Sequence, residues 1–147
     1  MIGKVSQMLI PQATNANPAT AYIDMAQGHD VYFVVNVTKG NAALTSFALE
    51  QANTAGGGGN KIFANTVPIW SNLNTGASDV LVRRTNALNY ALDNANDGRG
   101  QIVVFKVDPS RMDINAGFRW ARLQVAAGDA ANIASVLAVI IPQRYAS

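Results

Sequence analysis

The 147-residue chain contains no cysteine and only one histidine, and this composition excludes several kinds of functional site. Without cysteine there is no disulfide, no thiolate nucleophile and no cysteine-ligated metal. A single histidine, His29, leaves too few nitrogen ligands for a structural zinc site. Because His29 stands between Gly28 and Asp30, we interpret it as a surface turn residue, and we expect no metal and no cofactor.

Charge is also scarce. Charged residues make up 14% of the chain, against roughly a quarter in ordinary soluble proteins. The nine acidic residues include one glutamate, and most of the aspartates adjoin turn residues, so no pair of general acid and base stands out and we expect no enzyme activity. The net charge is +2, and Arg83 and Arg84, the adjacent basic pair, point to opposite faces if they lie on a strand. We therefore expect no nucleic-acid partner.

Long apolar runs are missing too. The longest, residues 133–141, has nine residues, whereas a membrane-spanning helix needs about 20. The run predicts a buried strand, and we expect no membrane partner. Residues 1–12 lack the apolar core of a signal peptide, so we expect synthesis in the cytoplasm without export.

What the chain does have is apolar and small uncharged residues. Hydrophobic residues make up 49%, and alanine, asparagine, threonine, serine and glycine occupy much of the remainder. A chain of this length forms one domain with a core of its own. A surface with so little charge is suited to burial between protein subunits, although the same composition also fits a surface that contacts nothing.

Short segments rich in β-branched and aromatic residues recur along the chain, with turn residues between them. In the clearest, Val31, Phe33, Val35 and Val37 alternate with more polar positions, as a half-buried strand requires. The predicted strands are residues 31–38, 44–51, 62–70, 79–85, 87–93, 101–107, 118–125 and 134–141. This pattern predicts an all-β fold, an antiparallel β-sandwich or jelly roll in one domain, with residues 1–14 as an extended N-terminal arm.

Three breaks in this pattern carry their own predictions. Pro68 indicates that strand 62–70 is irregular or lies at a sheet edge. The four glycines at 56–59 indicate a flexible loop, because no Gly-Lys-Ser or Gly-Lys-Thr follows to bind phosphate. The turn residues at 93–98 predict a β-hairpin rather than a calcium loop, since Ala95 and Val104 occupy positions that would need oxygen ligands.

The two tryptophans, Trp70 and Trp120, are expected in the core, because large aromatic side chains are mostly buried. Trp120 has an alternative interpretation as an anchor for a protein partner, since Arg119 and Arg122 flank it and aromatic residues and arginine are enriched at interfaces.

From residue 79 onward the sequence resembles a family of structural proteins of tailed bacteriophages. The resemblance lies in residues 103–109 (VVFKVDP), 112–118 (MDINAGF) and 130–133 (AANI), and in the final Arg144-Tyr145. Residues 9–14 and 21–24 are similar to the N-terminal part of such proteins. These segments correspond to predicted strands and the turns between them, and they include no active-site motif.

The resemblance implies a capsid decoration, or cement, protein that binds the outside of the phage head. Its partners would be the major capsid protein and further copies of itself, with a trimer favoured by the threefold sites of a capsid lattice, and its location the virion exterior. We expect contacts from residues 2–14 and 142–147. The individual candidates are Met8, Leu9, Ile10, Trp120, Arg144 and Tyr145. A tail or head-completion protein and a carbohydrate-binding β-sandwich remain alternatives.

Overall fold

Two antiparallel sheets face each other across a hydrophobic core in the computed structural model, which describes residues 3–26, 29–92 and 98–142. The strands in chain order are β1 (Lys4–Ala13), β2 (Ile23–Asp24), β3 (Asp30–Lys39), β4 (Thr45–Ala52), β5 (Lys61–Ile62), β6 (Val67–Asn72), β7 (Val82–Ala87), β8 (Asn89–Leu92), β9 (Gly100–Val107), β10 (Trp120–Ala127) and β11 (Asn132–Ile141). The predicted all-β sandwich is confirmed.

One sheet has six strands in the order β1-β11-β3-β9-β6-β7. The other has five, in the order β2-β10-β4-β5, with β8 pairing the first half of β4. The long strands β3, β10 and β11 direct alternate side chains inward, because successive residues of a strand point to opposite faces. The inner faces meet in one cluster that includes the fully buried Phe33, Phe47 and Phe105.

The strongest strand predictions correspond to β3, β9, β10 and β11, whose bounds differ from the prediction by one or two residues. The segment containing Pro68 is irregular, as expected, because the register of β6 against β7 shifts between Val67 and Ile69. It is not an edge strand, however, since β6 lies between β9 and β7. The four glycines form a turn in which Gly57 and Gly59 have positive φ angles of 86° and 64°.

The predicted hairpin between strands 87–93 and 101–107 is wrong. Strand β8 pairs with β4 in the five-stranded sheet, whereas β9 pairs with β3 and β6 in the six-stranded sheet. The connection therefore passes from one sheet to the other. Residues 93–97, to which the calcium-loop comparison applied, lie outside the described residues.

The predicted N-terminal arm is extended, but it is paired within the chain. Lys4–Ala13 forms β1, which runs antiparallel to β11 at the edge of the six-stranded sheet. Leu9 points into the core and is 8% exposed. Apolar burial of this kind favours the paired strand over a free arm.

A buried asparagine connects the two sheets at one end. The Asn132 side chain, on β11, accepts hydrogen bonds from the backbone N–H groups of Gly40 (3.0 Å) and Asn41 (3.2 Å). Its Nδ2 donates to the Ala43 carbonyl at 3.1 Å and to Thr45 Oγ1, on β4, at 3.0 Å. Every polar atom of this side chain is therefore satisfied, as a buried amide requires. The AANI segment contributes to holding the fold together through Asn132.

Candidate protein-interaction surface

The outer face of the six-stranded sheet carries apolar side chains where a sandwich in water usually carries polar ones. The clearest case is β11. Its inward residues include Ala134, Val136 and Ala138, yet its outward residues Ile133 and Leu137 are also apolar and are 38% and 40% exposed. We call the outer face of this sheet the apolar face. It is an unusual surface for a protein that contacts nothing.

One row of side chains crosses the apolar face from edge to edge, because residues directly opposite each other in paired strands share a face. The pairing registers place six residues in this row, one from each strand. In spatial order they are Gln7, Leu137, Val34, Val104, Trp70 and Arg83. The four central members are apolar, and the polar members lie at the two edges. We call these six residues the central row.

Arg83 covers part of Trp70 at the β7 edge of this row. The guanidinium carbon lies 5.0 Å from the centre of the indole ring, within the range of a cation–π contact. Trp70 is only partly buried and lies outside the core, so the expectation of a core tryptophan is wrong here. It stands on the outer face because its neighbour Ile69 points inward.

A groove of about 410 Å³ opens beside the centre of the row. Val34, Ile102 and Val104 form its floor, and Leu81 stands in its wall. The wall belongs to the segment between β6 and β7, which is held against the sheet by hydrogen bonds from Thr75 N–H to the Gly100 carbonyl and from Asn72 to the Ser78 carbonyl. The groove therefore has a fixed apolar floor and a wall at one end.

The charges nearest the central row are Asp79, in the lining of the groove, and Lys106, in the adjacent row. In the adjacent row, Val5, Val139, Tyr32 and Lys106 lie side by side. Lys106 is 3.5 Å from the carboxylate of Asp30 and 6.0 Å from the centre of the Tyr32 ring. The ammonium group is thus partly neutralised within the chain, and the central row contains no carboxylate.

The β1 edge of the sheet presents further apolar side chains. Ile10 is 67% exposed and Val5 is 56% exposed, and both are large apolar side chains of β1. Register shifts on both sides of Leu9 interrupt the pairing of β1 with β11. Bulges of this kind twist an edge strand and hinder continuous backbone pairing with another strand.

The outer face of the five-stranded sheet has a different chemistry. Arg122, on β10, pairs with Glu50, on β4, at 2.7 Å, and its guanidinium carbon lies 4.8 Å from the centre of the Tyr22 ring. Burial raises the pKa of Tyr22, and the positive charge of Arg122 partly opposes that effect. We call this outer face the polar face.

Asp24 and Arg119 form a second ion pair on the polar face, with Arg119 Nε 3.0 Å from an Asp24 carboxylate oxygen. Hydrogen bonds from Arg119 lower the pKa of Asp24, although partial burial acts in the opposite direction. Arg119 also lies 5.6 Å from the centre of the Trp120 ring. Trp120 is half-buried on this face and is not a core residue, so the core expectation is wrong for it as well.

His29 lines a cleft of about 360 Å³ near the end of the polar face. Asp24 and Lys4 are the other titratable residues of its lining, and the remainder is Gly3, Ile23, Ile140 and Pro142. No hydroxyl or thiol side chain is among these described lining residues. Because Asp24 is already paired with Arg119, the cleft does not assemble the nucleophile, base and orienting acid of a catalytic triad.

The candidate residues from the sequence are thus divided among different environments. Met8 is partly buried against the core, Leu9 is in the core and cannot contact a partner, and Ile10 is exposed. Trp120 is on the polar face, while Arg144 and Tyr145 lie outside the described residues. Leu137, Val34 and Trp70 were not among the contact residues predicted from the sequence. For Leu137 the signal was present in the sequence, because apolar residues of β11 occupy both alternating sets of positions.

Within residues 3–26, 29–92 and 98–142 there is no cluster of three or more side chains of the types that hold metal ions. In the same ranges, no helix is long and apolar enough to cross a membrane. Comparison with known proteins gives no match among protein-family models, curated proteins or solved structures. What the chain does must therefore be inferred from its own residues and surfaces.

Proposed function

We propose that this chain is a structural subunit of a phage virion, a capsid decoration protein that binds the major capsid protein on the outside of the head. The observation that carries the proposal is the amount and placement of exposed apolar surface, on the apolar face and along the β1 edge. Surfaces of this kind mark sites of protein association. The resemblance of residues 103–109, 112–118 and 130–133 to phage structural proteins supports the choice of partner.

The role would be mechanical. A subunit that binds the assembled shell but not its separated components stabilises the assembled form by mass action. Many copies on one lattice add their modest contacts together. A fold held by a continuous core, with a surface of low charge, is suited to this role because its contacts change little with salt.

Within this proposal, the shell contact is assigned to the β1 edge. Ile10 projects from the strand with 67% of its surface exposed, next to Pro11, which has no N–H to donate. The bulges on both sides of Leu9 disfavour a continuous added strand, so side-chain packing rather than backbone pairing is expected to supply the affinity.

The experiment uses phage heads assembled without this protein, mixed with purified chain and sedimented. Ile10→Asp is expected to lower the amount bound at least tenfold, because the contact would have to bury a carboxylate. Ile114→Asp is the matched control, since Ile114 is 38% exposed on a short turn that follows β9 in sequence. Deleting residues 1–14 is unsuitable because it would remove β1 and a core leucine. Equal binding of Ile10→Asp and the unsubstituted chain would contradict the assignment.

Two alternatives are distinguished by other observations. A tail or head-completion protein would be present in about a dozen copies or fewer per virion, and a decoration protein in hundreds, so quantitative mass spectrometry of purified particles separates them. A carbohydrate-binding sandwich needs open aromatic faces. Here a cation lies over each of Trp70, Trp120 and Tyr22, which disfavours stacking of a sugar on that side of each ring.

A further inference from the structure

The apolar face requires a partner whose surface matches a groove, a ridge and a row of uncharged side chains. The groove lies over Val34 and Val104, in the part of the sheet nearer β7. The ridge is formed by the exposed Leu137, in the part nearer β1. Groove and ridge are therefore displaced from each other across the sheet. When two copies of the sheet are placed face to face, the ridge of one meets the groove of the other only if the strand order of the second copy is reversed.

Reversing the strand order is what a two-fold axis parallel to the strands does when one sheet is placed face to face on a copy of itself. Applied to the central row, this operation places Gln7 opposite Arg83, Leu137 opposite Trp70, and Val34 opposite Val104. The row reads polar, four apolar, polar, so it has the same polarity in both directions. Its polar ends face polar ends, and its apolar centre faces an apolar centre.

We propose that the apolar face is covered by a second copy of this chain, related by a two-fold axis that runs parallel to the strands and passes between β3 and β9. An interface of this type is isologous, so each favourable contact occurs twice. Leu137 of each copy packs beside Val104 and Trp70 of the other, and the Gln7 side-chain carbonyl accepts a hydrogen bond from Arg83 of the other.

The adjacent row supports the same arrangement. The operation brings Tyr32 of one copy opposite Lys106 of the other, because these residues lie on the two strands that flank the axis. Within a single chain Lys106 already lies 6.0 Å from the centre of the Tyr32 ring. The dimer thus repeats between the copies a cation–aromatic contact that the face already makes.

The size of the face is sufficient. Six strands about 4.8 Å apart, with about six residues each at about 3.3 Å per residue, give a face of roughly 500 Å². Two copies together would bury roughly 1,000 Å², which is the lower bound for a specific interface. Sheets packed in this way lie about 10 Å apart with interdigitating side chains, as the two sheets of the sandwich do.

The absence of carboxylates from the central row favours a second copy over partners selected by charge. Lys106 is paired with Asp30, and Arg83 is stacked on Trp70, so neither presents an open positive surface for nucleic acid or an acidic lipid. The central row matches itself in polarity when the strand order is reversed, as a second copy requires. This inference does not depend on shell binding, because Ile10 lies outside the central row.

The first test measures mass in solution by light scattering after size exclusion, at a chain concentration of tens of micromolar. The unsubstituted chain is expected to have twice the monomer mass, and Leu137→Glu the monomer mass. Ile62→Glu is the matched control, because Ile62 is 52% exposed on the five-stranded sheet, and it is expected to remain dimeric. Circular dichroism and the melting temperature verify that each variant is folded.

Three results would overturn the proposal: a monomeric unsubstituted chain, a folded Leu137→Glu that stays dimeric, or a trimeric mass, which a two-fold contact cannot give. Loss of shell binding by Ile10→Asp with an unchanged dimer mass is consistent with both proposals. A dimer that persists while Ile10→Asp binds shells normally removes the shell assignment alone.

The second test measures the position of the axis. Because the chain has no cysteine, Gln7→Cys can be labelled at one site with a nitroxide, and the distance between the two labels measured by pulsed electron resonance. The proposed axis places the two Gln7 positions at opposite edges, roughly 26 Å apart, from five strand spacings and one sheet spacing. A distance of roughly 10 Å would place β1 over β1 and would overturn this axis.

Discussion

The apolar face and the polar face cover the two sides of one core, and they are built from strands of the same kind. On β10, in the five-stranded sheet, the outward residues are Trp120, Arg122 and Gln124. On β11, in the six-stranded sheet, the outward positions include Ile133 and Leu137. In both strands every second side chain is buried in the core, and this pattern produces the sandwich. The side chains at the other positions point outward and determine what each face can contact.

The comparison also separates two ways of using arginine and aromatic residues. On the polar face, Arg122 and Arg119 each pair with a carboxylate and lie against an aromatic ring, so charge is balanced within the chain. On the apolar face, Arg83 lies over Trp70 at the edge of the central row. The first arrangement balances charge across the polar face, whereas the second leaves the centre of the central row apolar.

The largest effect is expected from breaking the connection that keeps the two faces on opposite sides of one core. Asn132→Ala removes the hydrogen bond to Thr45 across the sheets and leaves the N–H groups of Gly40 and Asn41 without their acceptor. The unfolding free energy is expected to fall by about 3 kcal/mol, because several buried polar groups lose partners. Urea denaturation monitored by tryptophan fluorescence measures the change.

Asn89→Ala provides the control for this prediction. Asn89 lies exposed on β8, and its substitution is expected to change the unfolding free energy by less than about 0.5 kcal/mol. A loss below about 1 kcal/mol for Asn132→Ala would show that the junction does not hold the sheets together.

A smaller effect is expected from unbalancing the polar face. Arg122→Met leaves the partly buried Glu50 without its ion-pair partner, and the unfolding free energy is expected to fall by about 1 kcal/mol. Adding Glu50→Met should recover part of this loss, because the unpaired carboxylate is then removed. The four chains of this double-mutant cycle, measured in urea, give the coupling energy, and a coupling near zero would contradict a balanced pair.

The smallest effect is a difference in pH response between the faces. The pKa of Asp24 is lowered chiefly by Arg119, and that of Asp129 chiefly by the Ala131 backbone N–H. A carboxyl whose pKa is lower in the folded state contributes stability above its unfolded pKa of about 3.9, and that contribution is lost as pH falls through the folded value. The unfolding free energy should therefore fall between pH 5 and pH 2.

For Asp24 the contribution is below about 1 kcal/mol, because exposed ion pairs are screened by solvent. Urea midpoints at pH 6 and pH 3 measure it, and Asp24→Asn should reduce the drop between them. The dimer mass should stay unchanged over this range while the chain is folded, since the central row has no carboxylate and protonation of Asp79, in the groove lining, only removes a charge from the apolar face. Dissociation on acidification of the folded chain would count against the assignment of the two faces.

Much of the fold follows from local pattern. Strands β3 and β9 were predicted from runs of β-branched residues with Phe33 and Phe105 among their inward positions. The hairpin at 93–98 was predicted wrongly because Asp-Gly indicates a turn and carries no information on which sheet receives the next strand. That choice depends on pairing between segments far apart in the chain, such as β4 with β8.

The exposed apolar surface was predictable in kind but not in place. Low charge indicated burial between subunits, and the nine-residue apolar run now assigned to β11 contained apolar residues at both alternating sets of positions. The central row, however, depends on the registers of five strand pairs, which single segments do not specify. The tryptophans show the same limit. Their size favoured the core, whereas the inward neighbours Ile69 and Ala121 direct them outward.

The pairing of β1 with β11 has a consequence for how the sandwich responds to a pulling force. Lys4 lies opposite Ile140, so the two strands meet at the same end of the sheet and run away from it in opposite chain directions. A pulling force applied between these two points loads the hydrogen bonds of the ladder one after another rather than all at once. In that direction the hydrogen bonds between β1 and β11 break one at a time, starting from the end of the sheet that carries Lys4 and Ile140. The strand that yields first is β1, whose departure exposes the edge of β11.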